Sequence, residues 1–336
     1  VGNTYGCHEN YLVERTVNFH KLAELLIPFF VTRQVYAGAG KVLRTRTGNH
    51  YYISQRAQHI YQEISGATTS SRGIINTRDE PHADEEKYRR LHVIVGDSNM
   101  SEFATYLKVG TTAIVLSLVE DGVIRKDMAL EDPVRAIKEI SHDITCKRKV
   151  RLKRGVELSA IEIQREYLDL ALEYYQSREA APQTLDILEK WGAILDRLHE
   201  EPRSLGRELD WVIKLDLIHN YMQRKKVGFE DQRISMLDLQ YHDIKRSRGL
   251  YYILTREDLV ERMATEADID RAVLEPPQST RARIRSDFIK YAMERNKSYD
   301  VGWSYLKLND RYQRTILCKD PFQSKDPRVE EMISSS

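Results

Sequence analysis

Tyr88-Arg89-Arg90-Leu91-His92-Val93-Ile94-Val95-Gly96-Asp97-Ser98-Asn99 reads as a strand over Arg89–Val95 that ends in a turn. Its apolar residues are mostly β-branched, and Gly-Asp-Ser-Asn stops the run. Side chains alternate across a strand, so Arg90, His92 and Ile94 share one face and Leu91, Val93 and Val95 the other. The second face is wholly apolar and belongs to a core. The first sets a guanidinium beside an imidazole, a pairing suited to phosphate and a divalent ion. For this strand alone, a solvated face with a neutral His is the commoner outcome.

Outward from this strand, similar short runs lie at Lys41–Arg44, His50–Ser54 and Gly73–Thr77, and residues 3–13 alternate in strand fashion. Phe19 to about Val35 is helical in pattern, with Pro28 expected to kink it or end its first part. Ser101–Glu120 repeats apolar residues at steps of three and four. Beyond Ser159 the pattern is almost wholly helical. Pro276-Pro277 is a stiff break, followed by a helix over Thr280–Asn296 and strands at Asp300–Leu306 and Thr315–Leu317. The expectation is an α+β fold with two domains, 1–275 and 276–336.

Composition narrows the function. The 336 residues carry 52 Lys+Arg against 51 Asp+Glu, a net charge of +1, which excludes a generally basic nucleic-acid binder. The longest apolar patch, Leu25–Val31, falls short of the ~18 residues of a membrane span, so neither nucleic acid nor membrane is expected as a partner. Three cysteines at no paired spacing argue against a disulfide framework or zinc ribbon, and a cytoplasmic setting is expected. The chain opens without Met, like the inside of a domain, and is expected to be a fragment.

Some motifs fail on inspection. His8-Glu9-Asn10-Tyr11-Leu12 starts like a zinc-protease helix but has Leu12 where the second His belongs. Gly38-Ala39-Gly40-Lys41-Val42 lacks the first Gly and the final Ser/Thr of a phosphate loop, and reads as a helix C-cap using the positive φ that Gly tolerates. Cys7 reads as a small buried strand residue. What remains is a polar constellation. His8 and Asn10 share a strand face with Gly6, His92 stands on another strand, and Arg56 and Arg78 fall on neighbouring candidate strands. Each position alone has a structural reading. Together they suggest an anionic, metal-bound ligand such as a nucleotide.

Longer motifs carry a resemblance. Tyr5-Gly6-Cys7-His8-Glu9-Asn10-Tyr11-Leu12, Ile74-Ile75-Asn76-Thr77-Arg78-Asp79-Glu80-Pro81-His82-Ala83-Asp84 and Arg89–Asp97 closely resemble the Pup–protein ligase and Pup deamidase/depupylase family. Gln240-Tyr241-His242-Asp243-Ile244-Lys245 and Pro276–Arg283 continue the likeness. The tail from Trp303 to Phe322 and Cys7 in the first motif resemble the ligase branch, whereas Thr105-Tyr106-Leu107-Lys108 leans towards the depupylase.

The resemblance implies a glutamine-synthetase-like (carboxylate–amine ligase) domain, with a curved antiparallel sheet backed by helices and a small C-terminal domain. It implies ATP and Mg²⁺ as cofactors, with Pup and lysine-bearing proteins as partners. ATP would phosphorylate the side-chain carboxylate of the C-terminal Glu of Pup. A substrate Lys would then attack the acyl phosphate, marking the conjugate for the proteasome. By similarity, His8 and His92 occupy metal-ligand positions and Arg56 and Arg78 phosphate-facing ones, with Asn10 on the cofactor side. Trp303 matches an ATP-binding Trp whose other reading is a core aromatic sharing a face with Val301 and Tyr305. The family's acidic metal ligands and general-base Asp match nothing here, so no catalytic residue is assigned and the chain as given is expected to be inactive. The alternatives are the depupylase activity and a truncated Pup-binding fragment. For docking an acidic Pup, Arg281 and Arg285, one helical turn apart, are preferred over the basic run Lys147–Arg154, expected as an exposed hairpin.

Overall fold

Asn18 accepts hydrogen bonds from the backbone N–H of His20 and Lys21, and this cap starts α1 (Phe19–Thr32). The helix continues past Pro28, whose missing N–H leaves one rung open. Thr32 Oγ1 donates back to the Pro28 carbonyl at 2.7 Å. The break falls at Arg33 instead, before the short α2 (Gln34–Ala37). A computed structural model describes residues 4–334 of this chain. They pack as two units, each with its own core: residues 4–13, 17–78 and 91–263, and residues 14–16, 79–90 and 264–334. Thus the smaller unit starts at Ala264, ahead of the Pro276 break, and takes in two short segments from earlier in the chain.

In the larger unit, β1 (Glu9–Glu14), β4 (Gln62–Ser65), β5 (Gly73–Asn76) and β6 (Tyr88–Val93) form a sheet in the order β1-β6-β5-β4. β5 and β6 are antiparallel, with Asn76 opposite His92, whereas β4 and β5 run parallel. The sheet is therefore mixed rather than purely antiparallel. β2 (Lys41–Thr45) and β3 (Gly48–Tyr52) form a hairpin, as do β7 (Lys149–Arg151) and β8 (Glu157–Ser159), so the Lys147–Arg154 run does lie on a hairpin.

α3 (Glu102–Glu120) begins at Ser101, whose hydroxyl accepts from Ala104 N. It is longer than the Leu25–Val31 patch and, by length and composition alone, apolar enough to cross a membrane. Most of its residues are buried, as in a core helix. α4 (Pro133–His142), α5 (Ala160–Gln176), α6 (Pro182–Glu200), α7 (Asp210–Lys225), α8 (Gln232–Tyr241) and α9 (Leu250–Arg256) complete the unit. Phe29 meets Tyr167 and Trp191 edge-on in the core, at 5.4 and 6.2 Å between ring centroids.

The face expected to be solvated is buried at the end of β6 and just past it, where His92 is 3% and Ile94 0% exposed, while Arg90 stays partly exposed. Cys7 is half-buried and precedes β1 rather than lying in it. Gly38 does cap α2, but with φ −70; the positive φ belongs to Gly40.

The smaller unit contains α10 (Glu266–Leu274), α11 (Arg281–Glu294), α12 (Pro327–Ser334) and an antiparallel sheet of β9 (Tyr299–Val301), β10 (Tyr305–Leu308) and β11 (Thr315–Leu317). Ile284, Phe288, Leu306, Leu308, Ile316, Val329 and Met332 form its core. The run expected as one strand, Asp300–Leu306, is two strands joined by a turn. Gly302 N donates to Tyr305 O at 3.0 Å, and a Cβ at Gly302 would sit 2.2 Å from the Tyr305 ring. A β-carbon there would have to displace the Tyr305 ring.

Candidate functional site

β6 carries His92 opposite Asn76, and His8 leads into β1 beside it. Their ring nitrogens, His92 Nε2 and His8 Nδ1, lie 3.3 Å apart. The two histidines expected to share a cavity do meet. Glu9, between His8 and Asn10, turns the opposite way into the core. There the Arg33 guanidinium donates to its carboxylate (2.9 Å from Nη1) and to Thr112 Oγ1 (2.6 Å). Alternation puts Glu9 on the far face from His8, but nothing in the sequence pairs it with Arg33 at the end of an apolar helix.

Arg56 is placed by its backbone. Ser54–Arg56 wrap around the Asp97 carboxylate, which accepts from Gln55 N (2.8 Å), Arg56 N (2.9 Å), Ser54 Oγ (3.0 Å) and, from another loop, Ala39 N (2.7 Å). Burial raises the Asp97 pKa against these hydrogen bonds. The Arg56 side chain is 5% exposed, donates to Ile94 O at 3.1 Å, and lies against Gly6. A Cβ on Gly6 would be 2.5 Å from the guanidinium carbon, so a glycine there is what admits the charge. Arg56 Nε has no hydrogen-bond partner. Burial, then the nearby Arg72, lower its pKa.

Arg56 precedes a short 3₁₀ turn (Ala57–His59) and Arg78 follows β5, so neither stands on a strand as expected. Arg78 is exposed, its N–H bonded to Asn76 Oδ1, and Asn10 is exposed on β1. Trp303 belongs to the smaller unit. It is 59% exposed at the β9–β10 turn, which rules out the core-aromatic reading: the turn takes it off the face of Val301 and Tyr305.

Among the described residues no group of three or more His, Cys, Asp or Glu side chains could hold a metal ion. Mg²⁺ takes six oxygen ligands, and two imidazoles in mutual contact do not by themselves fit it.

Sequence reading missed a second polar cluster in the larger unit. Lys214, 1% exposed, donates to Gly40 O (2.7 Å), Asp238 Oδ1 (2.8 Å) and His242 Nε2 (2.9 Å), and Lys41 reaches the other Asp238 oxygen at 2.6 Å. His242 also meets Gln55 Nε2 at 2.7 Å, and Gln55 Oε1 accepts from Tyr5 N at 3.0 Å. Burial, then Lys214 and Lys41, lower the His242 pKa to about 2, so the ring is a neutral acceptor. The motif Gln240–Lys245 was visible, but its partners lie tens to hundreds of residues away.

A protein-family model described as Pup-ligase protein matches residues 1–307. Pup–protein ligase 1 of Rhodococcus erythropolis is 53% identical over 335 residues, covering 99% of this chain and 74% of that protein. The Pup–protein ligase of Mycolicibacterium smegmatis is 52% identical with the same coverage. Among solved structures, the complex of the prokaryotic ubiquitin-like protein Pup with its ligase PafA superposes with a TM-score of 0.91 at 36% identity, over 99% of this chain and 68% of that one. A PafA structure in complex with ADP gives 0.90, also at 36% identity, over 99% and 74%.

Proposed function

Since this chain belongs to the Pup-ligase protein family, we propose that it joins Pup to lysines of other proteins at the expense of ATP. The relatives named as ligases, and the solved relatives bound to Pup and to ADP, support this reading over the depupylase one. In the proposed reaction a Pup side-chain carboxylate oxygen attacks the γ-phosphorus of ATP, giving an acyl phosphate and ADP. The lysine amine, its proton taken by a base, then attacks the acyl carbon, and phosphate leaves with the C–O bonding pair. The conjugate is proposed to be a mark for the proteasome, and the setting to be the cytoplasm.

One observation carries the assignment to phosphate chemistry: Arg56 is buried beside Gly6 with a donor left without a partner. A buried guanidinium with an open donor is stabilised by an oxyanion, and a preorganised cation of this kind steadies a transferring phosphoryl group. Arg78 and Asn10 are proposed to face the same ligand, and Trp303 to stack on adenine. Mg²⁺ is proposed to ride on the nucleotide phosphates, with His8 and His92 as at most two of its ligands.

The test is conjugation itself. Pup ending in Glu, ATP and a lysine-bearing protein are incubated with the enzyme, and isopeptide product is counted against ADP and phosphate. One ADP and one phosphate per conjugate are expected. Cleavage of a Pup conjugate without ligation would sink the proposal. Trp303→Ala is expected to raise the KM for ATP about tenfold, roughly 1.4 kcal/mol, with the KM for Pup unchanged.

A further inference from the structure

Trp303 does not stand alone in the smaller unit. The His82 ring stacks on it, with centroids 5.7 Å apart and planes 23° from parallel, and the Arg285 guanidinium carbon lies 5.2 Å from the indole centroid. That is within range of a cation–π contact. His82 holds φ +52, the left-handed region that a β-carbon disfavours. Arg281 anchors this residue by donating to the His82 carbonyl at 2.5 Å, and it also reaches Cys318 O at 3.3 Å. The conformation and the clamp on its carbonyl fix where the His82 ring stands.

The cations here divide by use. Arg281 is occupied by backbone carbonyls, and Arg283 lies 3.9 Å from Asp287. Arg285 makes no ion pair among the described residues, and its buried Nε has no hydrogen-bond partner. An exposed indole flanked by an imidazole and a guanidinium with an open donor matches a purine. Such a base offers a π-face for stacking and ring nitrogens that accept hydrogen bonds. An acidic peptide needs charge but no flat ring, and one of the two arginines expected to dock it is already engaged.

We propose that Arg285 is a nucleotide-binding residue that donates through Nε to the purine stacked on Trp303, and that His82 is a positioning residue for the indole. This rests on the reading of Trp303 as the adenine platform, and the experiment separates the two. The variants Trp303→Ala, Arg285→Met, Arg285→Lys and His82→Asn are made in the full chain. Asn tolerates the left-handed conformation while deleting the ring. Steady-state kinetics give KM for ATP and for Pup, and adenosine and inorganic tripolyphosphate serve as competing probes for the base and the phosphates.

Arg285→Met is expected to raise both the KM for ATP and the inhibition constant of adenosine about tenfold, leaving tripolyphosphate inhibition and the KM for Pup within about twofold. Arg285→Lys, which keeps the charge but loses the planar fork, is expected not to restore them. His82→Asn is expected to weaken adenosine about threefold at an unchanged unfolding midpoint. A structural role would move the midpoint instead. If Trp303→Ala raises the KM for ATP and Arg285→Met does not, this proposal falls alone. If Trp303→Ala has no effect, the platform reading falls and takes this one with it. A rise in the KM for Pup with Arg285→Met, shrinking as salt rises, would overturn it in favour of an acidic peptide.

Discussion

Two charged regions of this protein are built on opposite principles. Around Lys214 and Asp210 in the larger unit the charges are buried and saturated. Lys214 has three acceptors for its three protons, and the Asp210 carboxylate accepts from Asn99 Nδ2, Met100 N, Ser101 N and the Tyr241 hydroxyl. Around Trp303 in the smaller unit the groups are half open, and a guanidinium donor goes unused. Leaving a buried polar group unmade costs free energy, whereas a complete network offers a ligand nothing to complete. The first region holds the fold; the second is left for something else to finish. Charge content alone would not have told them apart.

The comparison breaks most readily at its saturated end. Asp210→Ala strips four donors of one acceptor, and an unfolding free energy lower by about 3–5 kcal/mol is expected in urea titration. A loss under 1 kcal/mol would mean that water replaces the carboxylate, so that the network is not the closed unit described.

The pH dependence of stability sharpens the same point. His242 stays neutral in the folded protein down to about pH 2, while in the unfolded chain it titrates near its ordinary value of about 6.5. Below that value the unfolded state takes up a proton that the folded state refuses. Its contribution is therefore intact above about pH 6.5 and is lost as pH falls, at up to about 1.4 kcal/mol per pH unit. His242→Gln should flatten this acid limb between pH 6.5 and 5 in urea midpoints. An unchanged slope would locate the titration elsewhere.

The smallest effect is expected at the open end. Arg285→Met and Trp303→Ala should each change the unfolding free energy by less than about 1 kcal/mol, because both side chains are partly solvated and neither completes a core. A larger loss would make the Trp303 cluster a support of the fold and erase the contrast.

Much of the fold was legible because it is local. Ser101 caps α3, the apolar steps of its helix hold, and the break at Pro276-Pro277 does precede α11. Alternation on two candidate strands suggested a cavity shared by His8 and His92, and the two rings do meet, although His8 stands just before β1 rather than in it. The rest depended on distance in the chain or on turn geometry. Pro28 did not stop α1, which continues to Thr32. Gly302 turned one expected strand into two, and with that Trp303 left the core. Arg56 lies on no strand at all: it is held by Asp97, 41 residues on, and by the space at Gly6. Lys214, Asp238 and His242 form a site for one another only after the chain has folded, and no spacing announces that.

The Asp210 carboxylate has a consequence for the order of events during synthesis. It terminates the backbone donors at Met100 and Ser101, 110 and 109 residues before it, and is itself fixed by Tyr241. A chain growing from the ribosome at about 5–20 residues per second exposes the start of α3 several seconds before either partner is made. Contacts of such sequence separation close late, after the loop between them has formed. The larger unit should therefore gain protease resistance in one late step, when residue 241 clears the exit tunnel. Ribosome-bound chains stalled short of that point should be digested through α3.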